Sequence, residues 1–171
     1  MKFISSRVAN GSGISFSEAI LNCIPEDGGM YVPIFDESLA NWIFYMNGQT
    51  SFQSIAGTLT SALIKDEFSP IICETIATKA FPFSPELKQL DDNLFALELF
   101  HGPTGCYKDF AISYFASCLE NILIMKDKTA TILAVISVRE RHNVELERIS
   151  PSELCKRFIS LLKWRVGAFC D

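Results

Sequence analysis

A chain of 171 residues, 49 % hydrophobic and 20 % charged, is long enough to bury one sizeable core with a small subdomain. Its formal net charge of −5 argues against a nucleic-acid partner. No apolar run reaches the roughly 18 residues a membrane span needs, and the opening Met1 to Arg7 lacks the apolar centre of a secretion signal, so a cytoplasmic protein is expected.

Ser15 or Ser17 is placed to cap a first helix, whose apolar face is Phe16, Ala19, Ile20, Cys23 and Ile24. Pro25 and the Gly28, Gly29 pair end it. Met30 to Val32 reads as a short strand closed by Pro33. Arg7 is the only arginine before Arg139 and has two readings, a holder of phosphate or carboxylate and a surface residue. Residues 36–90 read as helical. Leu39, Trp42, Ile43 and Met46 share one face, and Phe52, Ile55, Leu59 and Leu63 share another. Ser69 and Pro70 form a cap with a proline at the first helical position, and Ile72, Ile76 and Ala80 continue that helix inward. Ser84, Pro85 and Glu86 repeat the same start signal.

Residues 93–100 form an apolar strand. Twelve residues then stand out, Leu99 to Phe110, reading Leu-Phe-His-Gly-Pro-Thr-Gly-Cys-Tyr-Lys-Asp-Phe. Pro103 suits the second position of a turn, with Gly105 at the fourth. Gly102 and Gly105 allow backbone to approach a flat ligand closely. Lys108 stands where a helix begins over 109–125, with Ala111, Phe115, Cys118, Ile122 and Met125 inward. By chemistry alone, a lysine at a helix start is a solvated side chain, and a lone His101 is a satisfied polar group. Phe100, Tyr107 and Phe110 are expected to pack around the amine and dehydrate it. The helix start, through its unpaired N–H groups, is expected to attract phosphate.

The run 129–138 is nearly all apolar and β-branched, as in a parallel strand buried on both faces. Strand, crossover helix and strand make a βαβ unit, with Lys108 beyond the carboxyl end of the first strand. The fold class is therefore α/β: a mostly helical subdomain over 1–90, the beginning of a parallel-sheet lobe over 91–138, and a divergent basic tail over 139–171. Residues 1–138 hold 8 basic and 15 acidic side chains, a balance of −7; residues 139–171 hold 7 and 5, a balance of +2. That shift reads as a change of reading frame or a fusion. Within the tail, Leu154, Phe158, Leu161 and Leu162 fall at helical spacing. The six cysteines show no metal-type spacing with the two histidines, so no metal is expected. Cys106, in the lysine loop, is the thiol to test for reactivity.

The twelve-residue stretch resembles the cofactor-lysine segment of threonine synthase, a pyridoxal-phosphate (PLP) enzyme of fold type II. That pattern reads roughly Leu-Phe-His-Gly-Pro-Thr-x-x-Phe-Lys-Asp-Phe, with Tyr107 here in the place of a Phe. A second match precedes it: Ser5, Ser6 and Arg7, then Ser15, Phe16 and Ala19, then Asp27 to Pro33 (Asp-Gly-Gly-Met-Tyr-Val-Pro) are similar to the family's opening. The resemblance implies that Lys108 holds PLP as a Schiff base and then acts as general acid or base. It implies that His101, Thr104 and Asp109 line the surrounding site. The implied reaction converts O-phosphohomoserine and water to L-threonine and phosphate.

The resemblance stops after Ala134. The family continues with Thr-Ser-Gly-Asp-Thr-Gly, whereas Val135 to His142 stand here. The family also has a second large lobe that supplies the loop for the cofactor's phosphate. The expectation is therefore a truncated homologue, inactive alone. The alternatives are a noncatalytic interaction module and a half-enzyme completed by another chain.

Overall fold

The computed structural model describes residues 1–8, 10–34, 44, 46–134 and 145–149, with side chains only up to residue 130. Strand β1 (Phe3–Ser5) pairs antiparallel with β2 (Tyr31–Pro33). Between them lies helix α1 (Phe16–Asn22), capped as its sequence predicts. The Ser15 hydroxyl accepts from the Glu18 N–H, and the Glu18 carboxylate accepts from the Ser15 N–H, a reciprocal capping box. A second carboxylate arrives from far along the chain: Glu67 accepts from the N–H groups of Phe16 and Ser17. Both charges complement the positive end of α1.

Helices α2 (Phe52–Ile64) and α3 (Pro70–Ala80) pack on each other, each started by a serine cap, Ser51 and Ser69. Gly57 permits their close approach, since a Cβ there would lie 3.1 Å from the Glu74 Cα. Helix α4 (Lys108–Met125) lies against α3 and α1. The core between these helices contains Ile64, Phe68, Cys73, Ile76, Cys118 and Ile122. Burial pushes the Cys118 thiol up to about 12 and raises that of Cys73. Both therefore behave as small apolar side chains. At one end of the bundle Phe52, Phe81, Phe83, Phe110 and Tyr114 form an aromatic cluster.

The structure corrects three expectations. Ser84, Pro85 and Glu86 open a strand and not a helix: β3 (Glu86–Asp91) forms an antiparallel hairpin with β4 (Leu94–Glu98). The Ser-Pro signal is local, and it loses to pairing across the tight turn at Asp92 and Asn93, where closing the loop costs little. The expected βαβ unit is not formed among the described residues. Strand β5 (Ala130–Ala134) pairs antiparallel with β6 (Glu145–Ile149), and among the described residues every strand pair is antiparallel. Finally, the buried face of α4 is wider than expected and fails at its ends: Cys118 and Ile122 are buried as read, but two end positions are not. Ala111 and Met125 are exposed, while Ser113, Ala116, Ser117 and Glu120 are buried. Small and polar residues let α4 approach α3 closely: Ser117 donates to the Ile76 carbonyl at 3.0 Å, and Lys79 pairs with Glu120.

The stripe at Leu39, Trp42 and Ile43 lies outside the described residues, as does the helix expected over 151–165. Among the described residues no helix is long and apolar enough to cross a membrane.

Candidate functional site

The twelve-residue stretch folds as a locked turn at the start of α4. Gly105 N–H donates to the Gly102 carbonyl at 3.2 Å, which places Pro103 and Thr104 at the turn's centre, as the sequence predicts. Gly105 has φ +69°, a conformation that suits glycine. The chain then bends into α4 as Asp109 N–H donates to the Cys106 carbonyl and Phe110 N–H to that of Tyr107. Those first amide groups, expected to be available to a phosphate, are thus bonded to the loop itself.

Asp109 is the centre of the lock. It is 2 % exposed, and its carboxylate accepts from the Thr104 N–H at 2.8 Å and the Thr104 hydroxyl at 2.6 Å. An acidic residue in the first turn also suits the helix dipole. Its side chain packs on Gly102, where an added Cβ would lie 2.6 Å from the Asp109 Cβ. Gly102 is therefore required by the packing of Asp109. One residue on, Phe110 enters the aromatic cluster, with ring centroids 5.0 Å from Phe83 and 5.8 Å from Phe52. Two anchored residues in succession fix the helix start.

Lys108, the first residue of α4, is exposed. The aromatic shell expected around its amine is not formed. Phe110 turns into the core, and Phe100 and Tyr107 are exposed, Tyr107 to 64 %. Cys106 is half-buried and its contribution to the lock is its carbonyl.

His101 is separated from the Thr104–Asp109 pair and belongs to the β3–β4 hairpin. Its Nε2 lies 3.2 Å from Glu98 Oε2 and 3.9 Å from Glu86 Oε1, and its ring rests 4.7 Å from that of Phe100. Glu98 also accepts from Lys88 at 2.9 Å. That bond, with the charge of Lys88 and a contact from His101, holds the Glu98 carboxyl below its usual range. A depressed folded value contributes stability above the unfolded value of 4.5 and loses it as pH falls through the folded one. The amide signals of Glu86 to Glu98 are accordingly expected to lose dispersion on acidification below pH 4.5, and Glu98→Gln is expected to remove that response. An unchanged response in Glu98→Gln would contradict the assignment.

Sequence reasoning missed Glu98 and Glu86 as partners of His101, and Phe52, Phe81 and Phe83 as the anchor of Phe110. The glutamates are recognisable only once the hairpin register is known, and the phenylalanines lie far from the loop in sequence. Arg7 resolves towards structure: its guanidinium donates to the Asp27 carbonyl at 2.5 Å. The Asp27 carboxylate in turn takes the Gly29 N–H and the Ser5 hydroxyl, which hold it below its usual range.

Comparison with known proteins agrees with this architecture. The family described as threonine synthase N terminus matches residues 2–81, a stretch ending before the lysine loop. Threonine synthase of Pseudomonas aeruginosa is 29 % identical over 142 residues, 80 % of this chain and 30 % of that protein. The Schizosaccharomyces pombe threonine synthase is 32 % identical over 134 residues, 74 % of this chain and 26 % of that protein. Among solved structures, PLP-bound threonine synthase from Brucella melitensis superposes with a TM-score of 0.64 and 30 % identity, covering 74 % of this chain and 28 % of that one. The chain spans under a third of the length of these relatives. What the chain resembles, in sequence and in fold, is the N-terminal part of the threonine synthases.

Proposed function

We propose that this chain supplies the PLP-binding lysine of threonine synthase chemistry, the conversion of O-phosphohomoserine and water to L-threonine and phosphate, and does not turn over alone. The observation that carries the reading is the Thr104–Asp109 lock, which holds Lys108 at the first residue of α4. The turn fits the aldehyde end of PLP. A Cβ at Gly105 would find its nearest neighbour 4.0 Å away, so the turn's outer side is open where the exposed amine begins its helix. PLP, when bound, supplies an electron sink for the substrate's carbanion.

The chain's own residues do the rest of what can be derived. Lys108 would hold the aldehyde through Nζ, and its amine, when free, would serve as general base and then acid, taking up a proton and returning it. Thr104 and Asp109 orient the lysine without touching the reacting atoms, and His101 lines the approach from the hairpin. Phe100, Tyr107 and Lys108 are all exposed, so among the described residues none shields the amine from water. A cytoplasmic setting and boundaries near residues 90 and 138 belong to the same proposal.

A second reading, a noncatalytic interaction module, is favoured by one observation. Leu87 and Leu97 are cross-strand partners on the β3–β4 hairpin, and both are exposed, with Phe95 beside them. The assay is phosphate release from O-phosphohomoserine. The chain with PLP is expected to give background release, and release is expected to rise when a polypeptide carrying the remainder of a threonine synthase is added. Lys108→Ala should then abolish it. Turnover by the chain alone would overturn the need for the remainder, and full activity of the Lys108→Ala mixture would overturn the role of the lysine.

A further inference from the structure

We propose that Glu86, Glu98 and His101 form a divalent transition-metal site, and that Zn2+ is the ion it fits. The three residues come from the start of β3, the end of β4 and the loop three residues on. Glu86 and Glu98 are cross-strand partners, so the pairing register puts both carboxylates on one face of the hairpin. Their oxygens and the imidazole nitrogen all lie within 4.8 Å of one another.

The separations suit an ion. Zn2+ bound by nitrogen and oxygen at about 2.0–2.2 Å in a tetrahedron has ligand atoms roughly 3.3–3.6 Å apart. His101 Nε2 stands 3.2 Å from Glu98 Oε2 and 3.9 Å from Glu86 Oε1, which brackets that value. One imidazole and two carboxylates also match the donor preference of Zn2+, and three protein ligands leave a fourth position for water. The charge balance agrees: two carboxylates face one imidazole and one ammonium. Lys88 Nζ, 2.9 Å from Glu98 Oε2, is the competing cation. Its side chain is 53 % exposed and can swing into solvent as the ion enters.

The ion would join both strands of the hairpin to the loop that leads to Gly102. A two-stranded hairpin is marginal by itself, and both faces of this one are largely exposed. Ligand spacings of 12 and 3 residues give no motif in the sequence, which explains why composition and spacing pointed to no metal. The site does not use Lys108 and shares only His101 with the PLP reading, and ion binding is read without PLP or substrate.

The test uses the full chain with accessible thiols alkylated, so that cysteine cannot ligate. Co2+ is titrated in by visible absorption and Zn2+ by calorimetry. One ion per chain is expected, with a tetrahedral-type Co2+ spectrum that Zn2+ displaces. Glu86→Gln and His101→Ala, each checked for a native circular dichroism spectrum, should weaken binding by more than roughly 10-fold, since loss of an outer partner alone costs that much. Lys88→Met, which keeps all three ligands and removes the competing charge, should tighten it by roughly 3- to 10-fold. Absence of saturable binding overturns the site. So does binding that Glu86→Gln, His101→Ala and Lys88→Met all leave unchanged, because the ion is then held elsewhere.

Discussion

Asp109→Ala is expected to destabilise the chain by about 2–4 kcal/mol and to release the lysine turn. The carboxylate is buried and accepts two hydrogen bonds from Thr104, each of the charged kind worth about 1.5–3 kcal/mol. Its removal leaves the Thr104 N–H without its partner and opens space beside Gly102. The losses share one group, so they do not add in full. Asp109→Asn preserves the shape but turns one acceptor into a donor facing Thr104, and an intermediate loss is expected. Urea unfolding measures this as a lower midpoint at an unchanged slope. A cost below about 0.5 kcal/mol for Asp109→Ala would place it with ordinary surface substitutions and contradict the lock.

Lys79→Met is expected to cost about 2–3 kcal/mol by leaving a buried carboxylate without its cation. Glu120 is 1 % exposed and sits in the α3–α4 contact, with one oxygen on Lys79 and the other, Oε2, unpartnered among the described residues. Breaking a buried pair from one side costs about 3–5 kcal/mol. Lys79 is 37 % exposed, so water relieves part of that. The double substitution Lys79→Met with Glu120→Leu should be neutral or stabilising, since it removes both desolvated charges and fills the gap with apolar atoms. A double-mutant cycle decides it. Additive costs from the two single changes, with no recovery in the double, would contradict the buried pair.

Much of the helical part was legible because its signals are local. Ser15 and Ser69 with Pro70 cap the helices that follow them, and the Gly102–Gly105 turn closes as its proline and glycine require. What depended on distant partners was not legible. Ser84 and Pro85 carry a helix-start signal, yet β4 supplies hydrogen bonds that no local rule anticipates. The apolar run at 129–138 looked like a buried parallel strand, but the neighbour of β5, its described part, is β6, from a stretch that periodicity did not mark.

The site divides in the same way. Thr104 and Asp109 were named from the motif, and the structure shows how they act, by locking the turn. The environment of Lys108 was misjudged because adjacency in sequence is not adjacency in space. On a helix, residues two positions apart point in nearly opposite directions, so the same geometry that packs Phe110 into the aromatic cluster turns Lys108 outward. The partners of His101 required a strand register that the sequence reading had not assigned.

The central claim is that the locked turn presents Lys108 as the amine for PLP. The direct measurement is to add PLP to the full chain, reduce with borohydride, digest, and map the phosphopyridoxyl group by mass spectrometry. The group is expected on Lys108 in preference to the other lysines, with the preference lost in Asp109→Ala and no compensating label in Lys108→Ala. Label spread over Lys2, Lys88, Lys126 and Lys128 as heavily as over Lys108 would contradict it.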